Sequence, residues 1–146
     1  MSLKHRRSPQ EAADRAGAGL HGVAVDLLTQ AIQIEAKIGR LGPLTLAKRS
    51  ESLTKTRRAK AALADADAAL LMNPQSARAL RARGRALRHM GRYREASQAL
   101  AKANKAEFSE EVKGEIKVIQ VSARSEGERS DTSSEFSRRG DFTPRR

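Results

Sequence analysis

The stretch Arg83-Gly84-Arg-Ala-Leu-Arg88-His-Met-Gly91-Arg-Tyr93-Arg-Glu95-Ala96, followed by Leu100 and Ala103, decides the fold of this 146-residue chain. It contains Gly84 as a small residue, Gly91 as a glycine suited to a turn and Tyr93 as an aromatic residue two positions later. Alanines follow at fixed intervals. Segment 43–76 matches segment 77–110 at an offset of 34 residues, so that Ala62 and Ala69 recur as Ala96 and Ala103. A fixed period over several positions indicates a repeated structural unit.

A period of 34 residues with small residues at these places is typical of the tetratricopeptide repeat, in which each unit is a helix pair. An earlier copy has Ala24, Leu28 and Ala31, but Ala24 lies 38 residues before Ala62, which is one repeat plus four residues. Three copies meet the minimum for a stable solenoid. The sequence therefore predicts an all-α solenoid of about three helix pairs with a C-terminal capping helix.

Turn-forming residues divide the chain into predicted helices. Ser8-Pro9 begins a short helix that Gly17 and Gly19 weaken, and a second helix is expected over about 23–36, with Val23, Leu27 and Ile34 on one face. Further helices are expected at about 44–56, 59–72, 77–90, 93–106 and 110–120. The expected organisation is a flexible basic segment over 1–8, a repeat domain with its capping helix over 9–121, and a disordered tail over 122–146.

Small side chains are expected wherever paired helices approach closely, because a larger side chain would cost about 1–3 kcal/mol there. The predicted packing positions are Ala24, Ala31, Ala62, Ala69, Gly84, Tyr93, Ala96 and Ala103.

The net charge of +12 is concentrated on the repeats. Residues 43–107 hold fifteen Lys/Arg against five Asp/Glu, whereas residues 121–146 hold six against five. A folded basic surface favours anionic partners.

One helix carries the densest part of that charge. Arg78, Arg81, Arg85 and Arg88 are spaced by three, four and three residues, which places all four on one side of the helix. Lys48 and Lys55 extend the predicted partner-binding surface to the preceding repeat. Guanidinium groups pair with carboxylates or phosphates. An acidic protein partner is favoured, since nucleic-acid sites usually interleave aromatic side chains and the only tyrosine, Tyr93, belongs to the repeat pattern. The alternatives are an RNA- or phosphate-binding repeat and a merely solvated helix face.

The sequence gives little support for metal binding, phosphate-loop binding or catalysis. His5, His21 and His89 have no ligand-type neighbour at helical spacing, the chain has no cysteine, and it has no glycine-rich phosphate loop. We therefore expect no enzyme activity, no metal and no cofactor. Asp65 and Asp67 lie two apart on a helix and are expected to be solvated. No apolar run approaches membrane-spanning length, and the lack of cysteine fits a reducing compartment, so a cytoplasmic location is expected.

Several details resemble one family. The runs Leu46-Ala-Lys48-Arg49, Asp65-Ala-Asp67 and Asn73-Pro74-Gln-Ser76-Ala77, together with the 83–96 stretch, are similar to the Hip family of co-chaperones. The resemblance covers roughly residues 11–120. It implies binding to the ATPase domain of a seventy-kilodalton heat-shock chaperone of the DnaK class, where the repeats grip the nucleotide-bound state and slow ADP loss. The segments that flank the repeats in that family have no match here, so we expect a reduced or divergent member.

Related co-chaperones bind acidic C-terminal peptides through a carboxylate clamp. The corresponding positions here are Pro9, Ala13, Lys48, and Arg78 with Ala82, of which only the third-repeat base at Arg78 fits. The resemblance therefore does not imply a standard clamp.

Overall fold

Proline and glycine residues separate six α-helices in the computed structural model, which describes the backbone of residues 9–140 and the side chains of residues 17 and 19–126. The helices are α1 (Pro9–Lys37), α2 (Pro43–Lys55), α3 (Ala59–Met72), α4 (Ala77–His89), α5 (Tyr93–Ala106) and α6 (Glu110–Gly140). No β-strand occurs within residues 9–140, and the prediction of an all-α fold is confirmed there.

Each helix packs against the next one along the chain, and α2 also contacts α4. Helices α2 and α3 form one pair and α4 and α5 a second, with the first members of the two pairs side by side. Helix α6 packs on α5, where Val112 and Ile119 are buried against Leu87 and Leu100. This arrangement is a helical-repeat solenoid whose last apolar face is covered by α6, as predicted for the capping helix.

Local sequence signals set the helix boundaries. Pro43 occupies the first turn of α2, where a proline fits a helix. Asn73-Pro74 follows the end of α3, and Ser76 caps α4 by accepting a hydrogen bond from the Ala79 N–H at 3.3 Å. Gly91 joins α4 to α5 with φ at 77°, a conformation that glycine adopts without steric cost. The bounds expected for α2 to α5 differ from the observed ones by no more than one residue.

Small residues lie where the helices of each pair meet. The fully buried alanines at the repeat positions are Ala62, Ala69, Ala96 and Ala103. Gly84 of α4 lies against α5, so that an added Cβ would be only 2.6 Å from Leu100 Cγ. Tyr93 is half-buried and packs against the Leu87–Leu100 cluster. The close approach of α4 and α5 therefore depends on glycine at position 84, which has no side chain.

The first predicted helix pair is instead one continuous helix. Helix α1 runs from Pro9 to Lys37 through Gly17, Gly19 and Gly22. Along the described residues the first glycine with a positive φ is Gly39, at 68°, beyond the end of α1. No proline interrupts this stretch, and a single glycine costs a helix only about 1 kcal/mol. Because α1 has no paired first helix, the predicted packing positions Ala24 and Ala31 are only partly buried.

The sequence also underestimates the length of the last helix. Helix α6 continues to Gly140, whereas the sequence predicts a helix ending near 120 and disorder from 122. Between 110 and 140 there is no proline and the composition is rich in arginine and glutamate, which have good helix propensity. The disorder expected over 122–146 stays a prediction. Residues 1–8 and 141–146, and the expectations made for them, lie outside the described part of the chain.

Candidate functional site

Two neighbouring cavities form a groove along helices α2, α4 and α6. One has a volume of about 300 Å³ and lies beside Arg78, Arg81 and the start of α6. The other has a volume of about 250 Å³ and lies toward the ends of α2 and α4. Both are lined by Glu51 and Arg85, so they are adjacent, and we refer to them together as the α2–α4–α6 groove.

The structure brings five of the six predicted partner-binding residues into this groove. They are Lys55, Arg78, Arg81, Arg85 and Arg88. The sixth, Lys48, is exposed on α2 and lines neither cavity.

Two of the arginines are engaged by glutamates from neighbouring helices. Arg78 donates from Nε and Nη2 to the two carboxylate oxygens of Glu51, both at 3.0 Å, which joins α4 to α2. Arg85 donates to Glu115 at 2.9 Å and 3.4 Å, which joins α4 to α6. The groove wall is thus held together by paired charges of opposite sign.

These pairs also shift the pKa of both arginines. The hydrogen bond to Glu51 raises the pKa of Arg78, and desolvation opposes this rise without cancelling it. The hydrogen bond to Glu115 likewise raises the pKa of Arg85, with smaller contributions from the charges of Glu111 and Glu51. A raised arginine pKa means that loss of the guanidinium proton does not weaken the pair at any pH below the ordinary arginine pKa. That loss occurs only as the pH rises through the folded-state value.

The remaining cations of the groove are less constrained. Arg81 lies 3.7 Å from the carboxylate of Glu107, whose side chain is 67% exposed, so this contact contributes little. Lys55 and Arg88 have no carboxylate within 4.0 Å among the residues whose side chains the structure describes. These two side chains, at the ends of α2 and α4, are the ones best placed to meet an anionic group.

The paired state of the arginines changes the interpretation of the basic face. Four like charges on one helix face repel one another, and the sequence leaves their partners unidentified. The structure supplies partners for Arg78, Arg81 and Arg85 from α2, the loop before α6 and α6, respectively, and none for Arg88 among the described side chains. Positions 51 and 85 are equivalent under the 34-residue period and carry opposite charges, but the structure pairs Glu51 with Arg78 and Arg85 with Glu115, so the period does not identify these pairs.

A second ion pair, which the sequence does not predict, holds the first three helices together. Arg49 donates from Nε and Nη2 to the carboxylate of Asp65 at 2.6 Å and 2.7 Å, and from Nη1 to Thr29 Oγ1 at 3.3 Å. The hydrogen bond to Asp65 raises the pKa of Arg49 against the opposing effect of desolvation. The expectation that Asp65 is solvated is therefore wrong, because its carboxylate is buried in this contact.

Asp67 is exposed, as expected, although its carboxylate pairs with Arg83 of α4 at 2.8 Å. Arg49 of the Lys-Arg run and both aspartates of the Asp-x-Asp run thus contribute contacts between helices. They support the repeat packing and contribute nothing to the groove.

No group of three or more metal-ligating side chains occurs among the described residues. None of the helices in this part of the chain is both long enough and apolar enough to cross a membrane.

Comparison with known proteins supports the fold. No protein-family model matches the chain. Among solved structures, the chain is similar to the Sgt2 TPR domain from Aspergillus fumigatus, with a TM-score of 0.62 and 22% sequence identity. The match covers 95% of this chain and 88% of that chain. The chain therefore has the fold of a tetratricopeptide-repeat domain.

Proposed function

We propose that this chain is a protein-binding tetratricopeptide-repeat scaffold of the co-chaperone type. It binds the ATPase domain of a DnaK-class heat-shock chaperone in the cytoplasm and has neither enzyme activity nor a cofactor. The observation that carries the proposal is the α2–α4–α6 groove, in which Lys55 and Arg88 lack a carboxylate partner among the described side chains. The choice of chaperone rests on the resemblance of the repeats to the Hip family.

The charges of the groove favour a protein surface over RNA. Glu51, Glu111 and Glu115 lie between the cations, and a nucleic-acid backbone would bring its phosphates against these carboxylates. A protein surface presents both signs of charge and can match such a pattern. No phenylalanine, tyrosine or tryptophan lines either cavity, and the imidazole of His89 is the one ring there on which a base could stack. The alternative of an RNA- or phosphate-binding repeat is therefore less well supported.

The test compares two variants with the same change in charge. Lys55→Gln/Arg88→Gln removes the two cations of the groove, and glutamine introduces no new repulsion with Glu51 or Glu115. The control Lys60→Gln/Lys102→Gln removes two exposed cations from α3 and α5, outside the groove. We expect at least about tenfold weaker binding of the purified ATPase domain by the groove variant, which corresponds to about 1.4 kcal/mol, and little change in the control.

Two further measurements separate the candidate partners. Wild-type binding is expected to be tighter with ADP than with ATP, and an oligonucleotide at equal charge concentration should not displace the ATPase domain. Equal losses in the two variants would show that net charge rather than the groove governs binding. Tight RNA binding, without nucleotide-dependent binding of the ATPase domain, would overturn the proposal in favour of the alternative.

A further inference from the structure

Helix α1 carries an exposed apolar face. Its large aliphatic side chains on one side, which we call the α1 stripe, are between 57% and 72% exposed, and they are Leu20, Val23, Leu27, Ile34 and Ile38. Ile38 lies just beyond the end of α1, where its N–H still bonds to the Ile34 carbonyl at 3.1 Å. Monomeric proteins rarely expose a contiguous apolar patch of this kind unless it is an interaction site.

The α1 stripe is separate from the face that packs on the solenoid. Val25 is buried and Ile32 packs against the core beside Leu46, and both lie well around the helix from the stripe. Among the described helices, α1 packs substantially only on α2. In a complete tetratricopeptide repeat a paired helix would accompany α1, and here the continuity of α1 removes that helix.

The spacing within the stripe indicates what covers it. Leu20, Leu27 and Ile34 repeat every seven residues, and Ala24, Ala31 and Ile38 do so four positions later, with Val23 beside them. This is the seam of a coiled coil, which is buried by a second helix of the same pattern. From 20 to 38 the stripe extends over about 27 Å of helix, enough for several interlocking layers.

We propose that the α1 stripe is a self-association surface, on which α1 of a second copy of this chain packs about a two-fold axis. A two-fold axis places one patch against the same patch of the other copy, as a self-complementary apolar stripe requires.

The distribution of charge permits this contact in a chain of net charge +12. Helix α1 holds four acidic and two basic residues, whereas α4 holds five arginines and no acidic residue. No member of the stripe is charged. Pairing through α1 therefore brings a helix with more acidic than basic residues to the interface and leaves the Arg78–Glu51 and Arg85–Glu115 pairs of α4 undisturbed.

The size of the stripe sets the expected strength. Five aliphatic side chains at this exposure contribute less than the roughly 800 Å² that each partner buries in a standard interface. We therefore expect a reversible dimer with a dissociation constant in the micromolar range.

Sedimentation equilibrium of the full chain between about 1 μM and about 500 μM tests the proposal. Wild type should convert from monomer to dimer across this range. Leu27→Glu, in the middle of the stripe, should weaken association by at least about tenfold. Leu71→Glu is the matched control, because Leu71 is a leucine on α3 that is 86% exposed. It should dimerise like wild type.

Ile34→Glu provides a second variant of the stripe, and circular dichroism checks that each variant keeps its helix content. A wild type that stays monomeric throughout the range overturns the proposal. A dimer that survives both stripe variants, or that Leu71→Glu weakens equally, does so too. These outcomes are independent of the proposed chaperone binding, since no residue of the stripe lines the α2–α4–α6 groove.

Discussion

Gly84 shows how one missing side chain sets the distance between two helices. An added Cβ would lie 2.6 Å from Leu100 Cγ and 3.2 Å from the Ala96 carbonyl oxygen, and Leu100 is itself fully buried. Gly84→Ala is therefore expected to destabilise the fold by about 1–3 kcal/mol in spite of the better helix propensity of alanine. Urea unfolding measures this change. Gly114→Ala is the control, because Gly114 lies in α6 with nothing within 4 Å of the added Cβ. It should stabilise by about 0.5–1 kcal/mol, and a stabilisation of the same size by Gly84→Ala would contradict the close approach.

The Arg49–Asp65 pair is expected to contribute more than a surface ion pair. Asp65→Asn keeps the shape of the side chain but leaves the Arg49 guanidinium, which is only 22% exposed, without its counter-charge. We expect a loss of about 2 kcal/mol, below the full cost for a wholly buried pair because Arg49 keeps some contact with solvent.

Asp67→Asn is the matched control for this change. It removes the carboxylate of a more exposed pair with Arg83 and should cost less than about 1 kcal/mol in the same unfolding assay. Equal costs for the two variants would show that the burial of Asp65 does not strengthen its pair.

The sequence predicted single residues only where a repeat constrains them. Gly84 and the alanines at 62, 69, 96 and 103 share a period, and the repeat pattern assigns small residues to helix contacts. The partner of Asp65 is sixteen residues away on another helix, and local spacing on α3 carries no information about it. Such contacts depend on how two helices cross, which the sequence pattern does not fix.

At the scale of helices, the boundaries marked by a proline or by a turn glycine were predicted accurately, and the others were not. Pro43, Pro74 and Gly91 stop or turn the chain, and the elements next to them were placed to within one residue. Helix α1 was predicted as two helices because Gly17 and Gly19 were expected to weaken and end the first of them. Each glycine is only a moderate cost in a helix, and packing along α2 offsets it. The same weakness of local signals explains why α6 extends beyond residue 120.

Alanine substitution in α1 distinguishes a continuous helix from a helix pair. Gly19 and Gly22 lie within α1, and an added Cβ at either position meets nothing within 4 Å. Gly19→Ala and Gly22→Ala are therefore each expected to raise the free energy of unfolding by about 0.5–1 kcal/mol, and helicity by circular dichroism should not fall. A loss of stability at either position would indicate that the chain turns there.

At the scale of the whole molecule, the net charge of +12 should make folding and binding respond to salt in opposite directions. The fifteen basic residues in 43–107 outnumber the acidic ones threefold, so the folded repeats repel themselves over long range. Salt screens such repulsion first, because the Debye length falls from about 10 Å at 0.1 M to about 3 Å at 1 M, while short and partly buried pairs such as Arg49–Asp65 are screened less.

We therefore expect the free energy of unfolding, measured in urea at several NaCl concentrations, to rise modestly between about 0.05 M and about 0.5 M salt. Over the same range the association rate with an acidic partner surface should fall, because screening weakens long-range attraction to Lys55 and Arg88. Lys55→Gln/Arg88→Gln should show a shallower fall in association rate than Lys60→Gln/Lys102→Gln, while the two variants unfold with similar salt dependence. If stability and association rate both decrease with salt, paired charges rather than uncompensated repulsion dominate the electrostatics of the folded chain.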